Sequence, residues 1–243
     1  LITNDGSFVQ TSTNQWIWKV PKDKKLCSLA IHDNTTGELM AINAFVMVPY
    51  NKMSKNKINK YRIGQYPNSK KSIYKRPRGF IEITKSNKNT LVAPHFSIKQ
   101  FVCKQSKSYP KYVVLKEQLT VKLELILDEI NHKGHYANSL YIMSGYRTPY
   151  YNQKIGNVKY SRHVWGDAAD IFVDESPRDG IMDDLNKDGK SNFRDSLYLY
   201  KMIDQLSTHP TQDPFTGGLG KYKANKHHGP FVHVDTRGYK ARW

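Results

Sequence analysis

Short runs of alternating apolar and polar residues mark the first part of the chain. Trp16–Val20, Leu26–His32 and Met40–Val48 are such runs, separated by turn-rich stretches at Pro21–Lys25 and Asp33–Gly37. A period of two, punctuated by Gly, Pro, Asn and Asp, predicts strands. Residues 1–66 therefore read as a small β-sandwich or barrel. Lys52–Lys60 reads as a solvated Lys/Asn-rich loop, residues 67–78 as an exposed basic connector, and Phe80–Thr84 as a further strand.

The period then changes. Within 117–133, Leu119, Leu123, Ile126, Leu127 and Ile130 fall on one helical face, and Gly134 supplies a stop. Asp195–Leu206 repeats the pattern with Leu199, Met202, Ile203 and Leu206 on one side. Ser139–Met143 and Phe231–Val234 are short apolar strand candidates, and no internal repeat is present. The fold class expected is α+β. A small antiparallel sheet with flanking helices occupies residues 91–243, preceded by a small all-β domain and basic connector at 1–90.

Composition narrows the function classes. The 243 residues are 38% hydrophobic and 24% charged, a globular composition and not a disordered one. No apolar run approaches the roughly 18 residues that span a bilayer. Lys and Arg number 38 against 21 Asp and Glu, for a net charge of +17. Such a charge favours polyanionic surroundings (nucleic acid, anionic lipid or acidic wall polymer) without choosing among them. Cys27 and Cys103 fit no CxxC spacing and read either as a disulfide or as two buried thiols. The chain opens at Leu1 and not at Met, as expected of a trimmed or mature form that has lost a targeting segment.

The chemistry concentrates in Ser161-Arg-His163-Val-Trp-Gly166-Asp-Ala168-Ala-Asp170 and, far downstream, Phe231-Val-His233-Val-Asp235. His163 and Asp170 can stand at the two ends of a turn-plus-strand. His233 on a neighbouring strand would complete three ligands, and three protein ligands with one open position is the arrangement of catalytic zinc. Spacing alone is a weak signal for this.

The surrounding residues strengthen it. Ser161-x-His163-x-x-Gly166-x-Ala168-x-Asp170 resembles the signature of the D-alanyl-D-alanine carboxypeptidase-like zinc peptidases, relatives of the hedgehog signalling domain. Upstream, Ser144-Gly-Tyr-Arg147-Thr-Pro149-x-x-Asn152 resembles the segment that precedes this signature. Downstream, Gly217-Gly-Leu-Gly220-x-Tyr222 and Phe231-Val-His233-Val-Asp235 through Trp243 resemble the closing motif of the cell-wall branch. The resemblance covers about residues 90–243. It implies that His163, Asp170 and His233 hold Zn2+. Arg147 would stabilise an oxyanion or grip a substrate carboxylate, which suits a permanently charged planar fork. Ser161 and Asn152 would support the site by hydrogen bonds or by shaping the turn.

One departure concerns the catalytic base. Many relatives carry Glu three residues before the last ligand, or His two before it; here those positions are Pro230 and Phe231. The candidates left are His228, beside His227 on a loop near the last ligand, and Asp235. The two histidines read equally as a solvated loop pair. Asp235 follows His233 by two residues and so shares its face of a strand, where it would act as base or orient the ligand.

A second candidate metal loop runs from Asp184 to Asp195. Asp184, Asn186, Asp188, Asn192 and Asp195 occupy positions 1, 3, 5, 9 and 12 of an EF-hand-like spacing, with Gly189 at position 6 and the Lys190 carbonyl at position 7. The alternatives are Ca2+, clamping an insertion between the zinc motifs, and an Asp/Asn/Gly-rich surface turn. His95 reads as a packing or capping residue. Trp16, Trp18 and Trp165 read as core or edge residues, with Trp165 a candidate cleft wall. Tyr146, Tyr150 and Tyr151 read either as substrate wall or as packing.

The leading expectation is an exported bacterial zinc peptidase, periplasmic or extracellular, acting on peptidoglycan peptide stems or cross-links as an endopeptidase or carboxypeptidase. The rival is a non-catalytic, zinc-stabilised wall-binding module. Specific nucleic-acid binding rests on net charge alone, with no recognised motif beside it.

Overall fold

Alternation at the amino-terminal end produces ladders of two strands. β1 (Ser7–Ser12) pairs antiparallel with β2 (Gln15–Lys19), and β3 (Leu26–His32) with β4 (Leu39–Phe45). In this computed structural model the described residues are 2, 3, 5–13, 15–21, 26–206 and 216–243. Among them each ladder stays two-stranded, where the sequence predicts a sandwich or barrel. Val9, Ile17, Leu39 and Met40 remain exposed.

β5 (Val48–Pro49) follows, then a tight hairpin of β6 (Lys57–Ile58) and β7 (Tyr61–Arg62). β8 (Gly79–Ile83) pairs with β5. After the short hairpin of β9 (Leu91–Ala93) and β10 (Phe96–Ser97), β11 (Lys111–Val113) joins the other edge of β8. This sheet spans the boundary expected near residue 90. Side-chain packing spans it too: Ile58, Tyr66, Phe80 and Tyr112 cluster with Val164 and Trp165. The stretch 67–78 is docked and is not a free connector. The Ile73 carbonyl accepts from Arg162 at 3.0 Å, the Lys75 carbonyl accepts from Trp165 Nε1 at 3.2 Å, and Tyr74 lies 5.0 Å from the Trp165 ring. The apolar and aromatic residues scattered among its lysines are what draw it in. Ile58, inside the loop read as solvated, is buried for the same reason.

Helix α1 (Glu117–His132) buries Leu119, Leu123, Ile126, Leu127 and Ile130, the face its periodicity marks. Each such side chain contributes about 1.5–3 kcal/mol on burial. The chain turns at Gly134, φ +83°, whose N–H bonds the Asn131 carbonyl at 2.9 Å. The central sheet comprises β12 (Tyr141–Ser144), β13 (Ala168–Phe172), β14 (Gly218–Tyr222), β15 (Phe231–Asp235) and β16 (Ala241–Arg242), in the order β12-β13-β15-β14-β16. It is antiparallel except for β16, which runs parallel to β14. Helix α2 (Pro149–Lys154) opens on Thr148, whose hydroxyl accepts from the Tyr151 N–H at 3.1 Å, with Pro149 in the first turn. Helix α3 (Phe193–Leu206) packs Leu199, Met202 and Ile203 into the same core as α1.

This architecture positions the site through alternation. Ala169 and Ile171 of β13, with Val232 and Val234 of β15, belong to the core shared with the helices. The intervening residues point to the other face. Asp170 is registered directly opposite His233, so the sheet places both on one face, side by side. The coarse expectation of a mixed fold with small antiparallel sheets and few helices matches what is observed.

Candidate metal centre

His163, Asp170 and His233 are all buried, and one ligand atom from each lies within 4.8 Å of the others, so the three can hold a metal ion. His163 stands on a 3-10 turn, Arg162–Trp165. That turn ends at Gly166 in the left-handed region, φ +72°. A Cβ there would sit 2.2 Å from the Val114 carbonyl oxygen. The residue is glycine because the backbone both reverses hand and passes against Val114. Two residues later β13 begins and delivers Asp170.

The donor set suits zinc. His163 Nδ1 lies 2.7 Å from the Gly145 carbonyl oxygen, so Nδ1 carries the proton and the Nε2 lone pair faces Asp170 Oδ1, 3.2 Å away. His233 Nε2 lies 3.2 Å from Asp235 Oδ2, which fixes its proton there and leaves Nδ1 toward Asp170 Oδ1 at 2.9 Å. Backbone carbonyls and carboxylates in this role set the tautomer and ring angle of metal-binding histidines. Asp170 divides its oxygens: Oδ1 faces the two imidazoles and Oδ2 accepts from Arg147 Nη2 at 2.6 Å. Burial pushes the Asp170 carboxyl up, but His163 and His233 together hold it well below the carboxylate range. Burial pushes His163 down, against the pull of Asp170. An anionic carboxylate between two imidazoles is the chemistry a divalent zinc ion requires.

Arg147 uses two of its N–H groups on protein, Nη2 on Asp170 and Nε on Ser144 Oγ at 2.8 Å. It lines a cleft of about 1020 Å3 together with the three candidate ligands, Tyr151, Ser161, His227 and His228. Ser161 forms the start of the His163 turn, and its side chain bonds no other described residue. Asn152 is buried in α2, where its Nδ2 donates to the Val158 carbonyl at 2.9 Å and holds the loop beside the cleft. Both therefore shape the backbone around the site and do not bond the ligands themselves.

Asp235 is fully buried behind His233 and does not line the cleft. Its carboxylate accepts from the Gly218 N–H at 2.8 Å, from Arg237 Nε and from His233. Burial pushes its carboxyl up, but the bonds from His233 and Arg237 hold it far below the usual range. A carboxylate so engaged is placed to orient the His233 ring, and it faces away from the cleft. His228 does reach the cleft, on a tight turn closed by the Asn225–His228 bridge. Its Nδ1 lies 2.7 Å from the Gly229 carbonyl, its Nε2 lies 2.8 Å from Asn225 Nδ2, and its ring packs edge-on against Phe231.

The loop 184–195 is built on backbone capping. Asp195 accepts from the Leu185, Asn186 and Asn192 N–H groups, and Asp184 from those of Asp188 and Gly189. Asn186 and Asp188 accept from the next amides but one, at Asp188 and Lys190. Among the described residues the His163–Asp170–His233 set is the cluster that brings three such ligands together, so candidate calcium at Asp184, Asn186, Asp188, Lys190, Asn192 and Asp195 gains no support from the geometry. His95 pairs with Glu124 of α1 at 2.6 Å. Trp165 is buried away from the cleft wall, and Tyr146 is buried against Tyr66. Cys27 and Cys103 are buried and are not joined to each other in a disulfide.

Three supports escaped sequence reasoning: the Gly145 carbonyl, Arg237 and Asp167. Asp167 is buried and paired with Arg162 and with Lys116 at 3.0 Å, and its carbonyl accepts the Thr236 N–H. Its place between two motif residues was the available signal. The triple-glycine pattern at 217, 218 and 220 was another. A Cβ at Gly218 would sit 2.3 Å from Asp235 Oδ2, and one at Gly220 would sit 2.3 Å from Trp243 Nε1.

Residues 94–201 match the family described as Peptidase M15. No curated protein and no solved structure matches the chain. The matched span contains Arg147, His163 and Asp170, while His233 lies downstream of it. Over residues 94–201, somewhat under half of its length, the chain is thus similar to the peptidase M15 family, the zinc-dependent, D-Ala-D-Ala carboxypeptidase-like metallopeptidases.

Proposed function

We propose that this protein is an exported zinc peptidase that hydrolyses an amide bond in the peptide stems or cross-links of peptidoglycan, as an endopeptidase or a carboxypeptidase. The observation that carries the proposal is the buried His163–Asp170–His233 cluster at a cleft also lined by Arg147. His163 Nε2, Asp170 Oδ1 and His233 Nδ1 would hold the zinc. When bound, zinc supplies a Lewis acid for the scissile carbonyl and makes water a competent nucleophile near neutral pH.

The chain's own residues do the rest. Gly145 and Asp235 hold the two imidazoles in their ligating tautomers. Arg147 presents its uncommitted N–H groups to the substrate carbonyl or carboxylate, where negative charge gathers. His228 Nε2, released from Asn225, is the proton acceptor that the cleft offers in place of the missing Glu or His. The amino-terminal ladders β1–β4 would hold the enzyme on the wall, and the +17 charge would favour that anionic surface. No specific nucleic acid partner is invoked.

A second reading is a wall-binding module that keeps zinc for stability without catalysis. The engaged state of Asp235, with Pro230 and Phe231 buried where a base would stand, favours it. One experiment separates the two. Zinc per chain is counted by elemental analysis in wild type and His163→Ala, and both are incubated with purified peptidoglycan and free stem peptides. One zinc and cleavage in the wild type, both lost in the variant, establish the peptidase, and product masses name the bond. One zinc without cleavage supports the module. No zinc in the wild type removes both readings.

A further inference from the structure

The cleft does not end at the metal centre. Beside it lies a second cavity of about 710 Å3, and Asn157 lines both. This cavity continues into a third of about 470 Å3, with Gln65 and Asn68 lining the two. Shared walls make the three one groove, running from the candidate ligands past the end of α2 toward residues 65–76.

The groove carries the carboxamides of Gln65, Asn68, Gln153 and Asn157, with Lys159, Lys75 and Arg76 also in its walls. The side chains of Gln65, Asn68 and Gln153 bond no other described residue, and Asn157 commits only its Oδ1, to the Val158 N–H at 2.7 Å. Tyr160 stands at the junction with the cleft. Its hydroxyl donates to the Asn68 carbonyl at 3.0 Å, and its ring lies nearly parallel to Trp165 and 4.8 Å from Tyr74. The ring is therefore pinned, with Lys159 Nζ 5.7 Å from its centroid, yet 38% of the residue remains exposed.

These features select a ligand class. A carboxamide offers donor and acceptor side by side without charge, which matches hydroxyl and acetamido groups. A pinned aromatic face gives a flat apolar platform at little entropic cost. An extended peptide would instead call for a free strand edge or apolar side-chain pockets. We propose that this groove binds the N-acetylated glycan strand of peptidoglycan and lays it alongside the cleft while its peptide enters. The proposal rests on the peptidoglycan reading above and extends it: the substrate is the sugar-linked stem, in preference to the free peptide.

Two measurements on the full chain test it, with Gln65→Ala/Gln153→Ala as the variant. Both side chains are exposed and bond no other described residue, so the fold is spared. First, an N-acetylglucosamine tetramer is titrated into wild type and variant by calorimetry. Second, KM and kcat are measured on a stem peptide, free and linked to its disaccharide. Expected is binding of the tetramer to wild type, weakened about tenfold in the variant by the loss of two hydrogen bonds. KM for the disaccharide-linked peptide should rise by a similar factor, with kcat and free-peptide kinetics unchanged. Absence of tetramer binding, or equal weakening on free and linked peptide, overturns the groove. A wild type that binds the tetramer but cleaves neither peptide refutes the peptidase reading and supports the groove.

Discussion

Trp243 lies against His233, ring centroids 5.3 Å apart, and it does so over a glycine. Gly220 sits directly across the ladder from His233, and its missing side chain leaves the space the indole occupies. Trp243 Nε1 donates to the Tyr222 hydroxyl at 2.6 Å, and Tyr222 stacks on Phe231 at 4.5 Å. One wall of the cleft is thus an aromatic ladder packed against His233. Gly220→Ala would force the indole off His233, at a cost of about 1–3 kcal/mol for an overpacked site. Zinc competition against a chromophoric chelator should show weaker binding in Gly220→Ala and near-normal binding in Trp243→Phe. Equal affinity in wild type and Gly220→Ala would remove the indole from any part in holding His233.

Asp235 orients His233 from behind. Asp235→Asn keeps the shape but loses the charged acceptor, and zinc affinity should fall by about 10–100-fold. Were Asp235 the base, kcat would collapse while zinc affinity held; the same competition assay, run beside a rate measurement, tells these apart.

Arg147 is expected to act on the reacting group. Arg147→Lys retains the charge and loses the planar fork. If Arg147 meets the developing oxyanion, kcat should drop by about 10²–10³-fold with KM little changed. A rise in KM at constant kcat would assign it to ground-state binding alone.

Gly166 carries the turn between His163 and Asp170. A Cβ at φ +72°, 2.2 Å from the Val114 carbonyl oxygen, cannot be accommodated in place. Gly166→Ala should cost roughly 1–3 kcal/mol or more in urea unfolding of the zinc-free protein, and should weaken zinc binding as well.

Lys122 of α1 donates to the Asp235 carbonyl at 2.8 Å. Burial pushes its ammonium down to about 8, against the pull of the Asp235 charge and with help from Arg242 and Arg237. The unfolded chain keeps a value near 10.5, so between these pH values it binds more protons than the folded one. Stability then rises with pH across that window, and below it the full penalty of a buried charge persists. Lys122→Met should flatten this rise. Urea midpoints in chelator from pH 7 to 10 read the difference; parallel curves for the two proteins would refute the low folded value.

Much of the local structure was legible. The five apolar positions of α1 are its buried face, and Leu199, Met202 and Ile203 of α3 are buried as their spacing indicates. The strands at Leu26–His32, Gly79–Ile83 and Phe231–Asp235 lie within a residue or so of expectation. Helix α2 went unread because six residues carry too little periodicity, though Thr148 and Pro149 are ordinary start signals. β14 went unread because its glycines carry no alternation, and only the approach of Trp243 and Asp235 explains them. The docked segment 67–78 reads as free because its lysines and arginines outweigh Ile73 and Tyr74.

Sequence by itself determined which residues can ligate a metal, which helical faces are apolar, and where a left-handed turn must fall. These are properties of residue type and short-range spacing, and they survive without knowledge of the partner strand. Tertiary structure alone decided that Asp170 stands opposite His233, that Asp235 turns away from the cleft into Arg237, and that His228 reaches the cleft. It alone joined residues 48–83 to the second half and opened a groove beside α2. Each of those outcomes depends on register and packing between segments tens of residues apart. No local pattern encodes such contacts, because a one-residue slip of a strand would turn the same side chains to the opposite face.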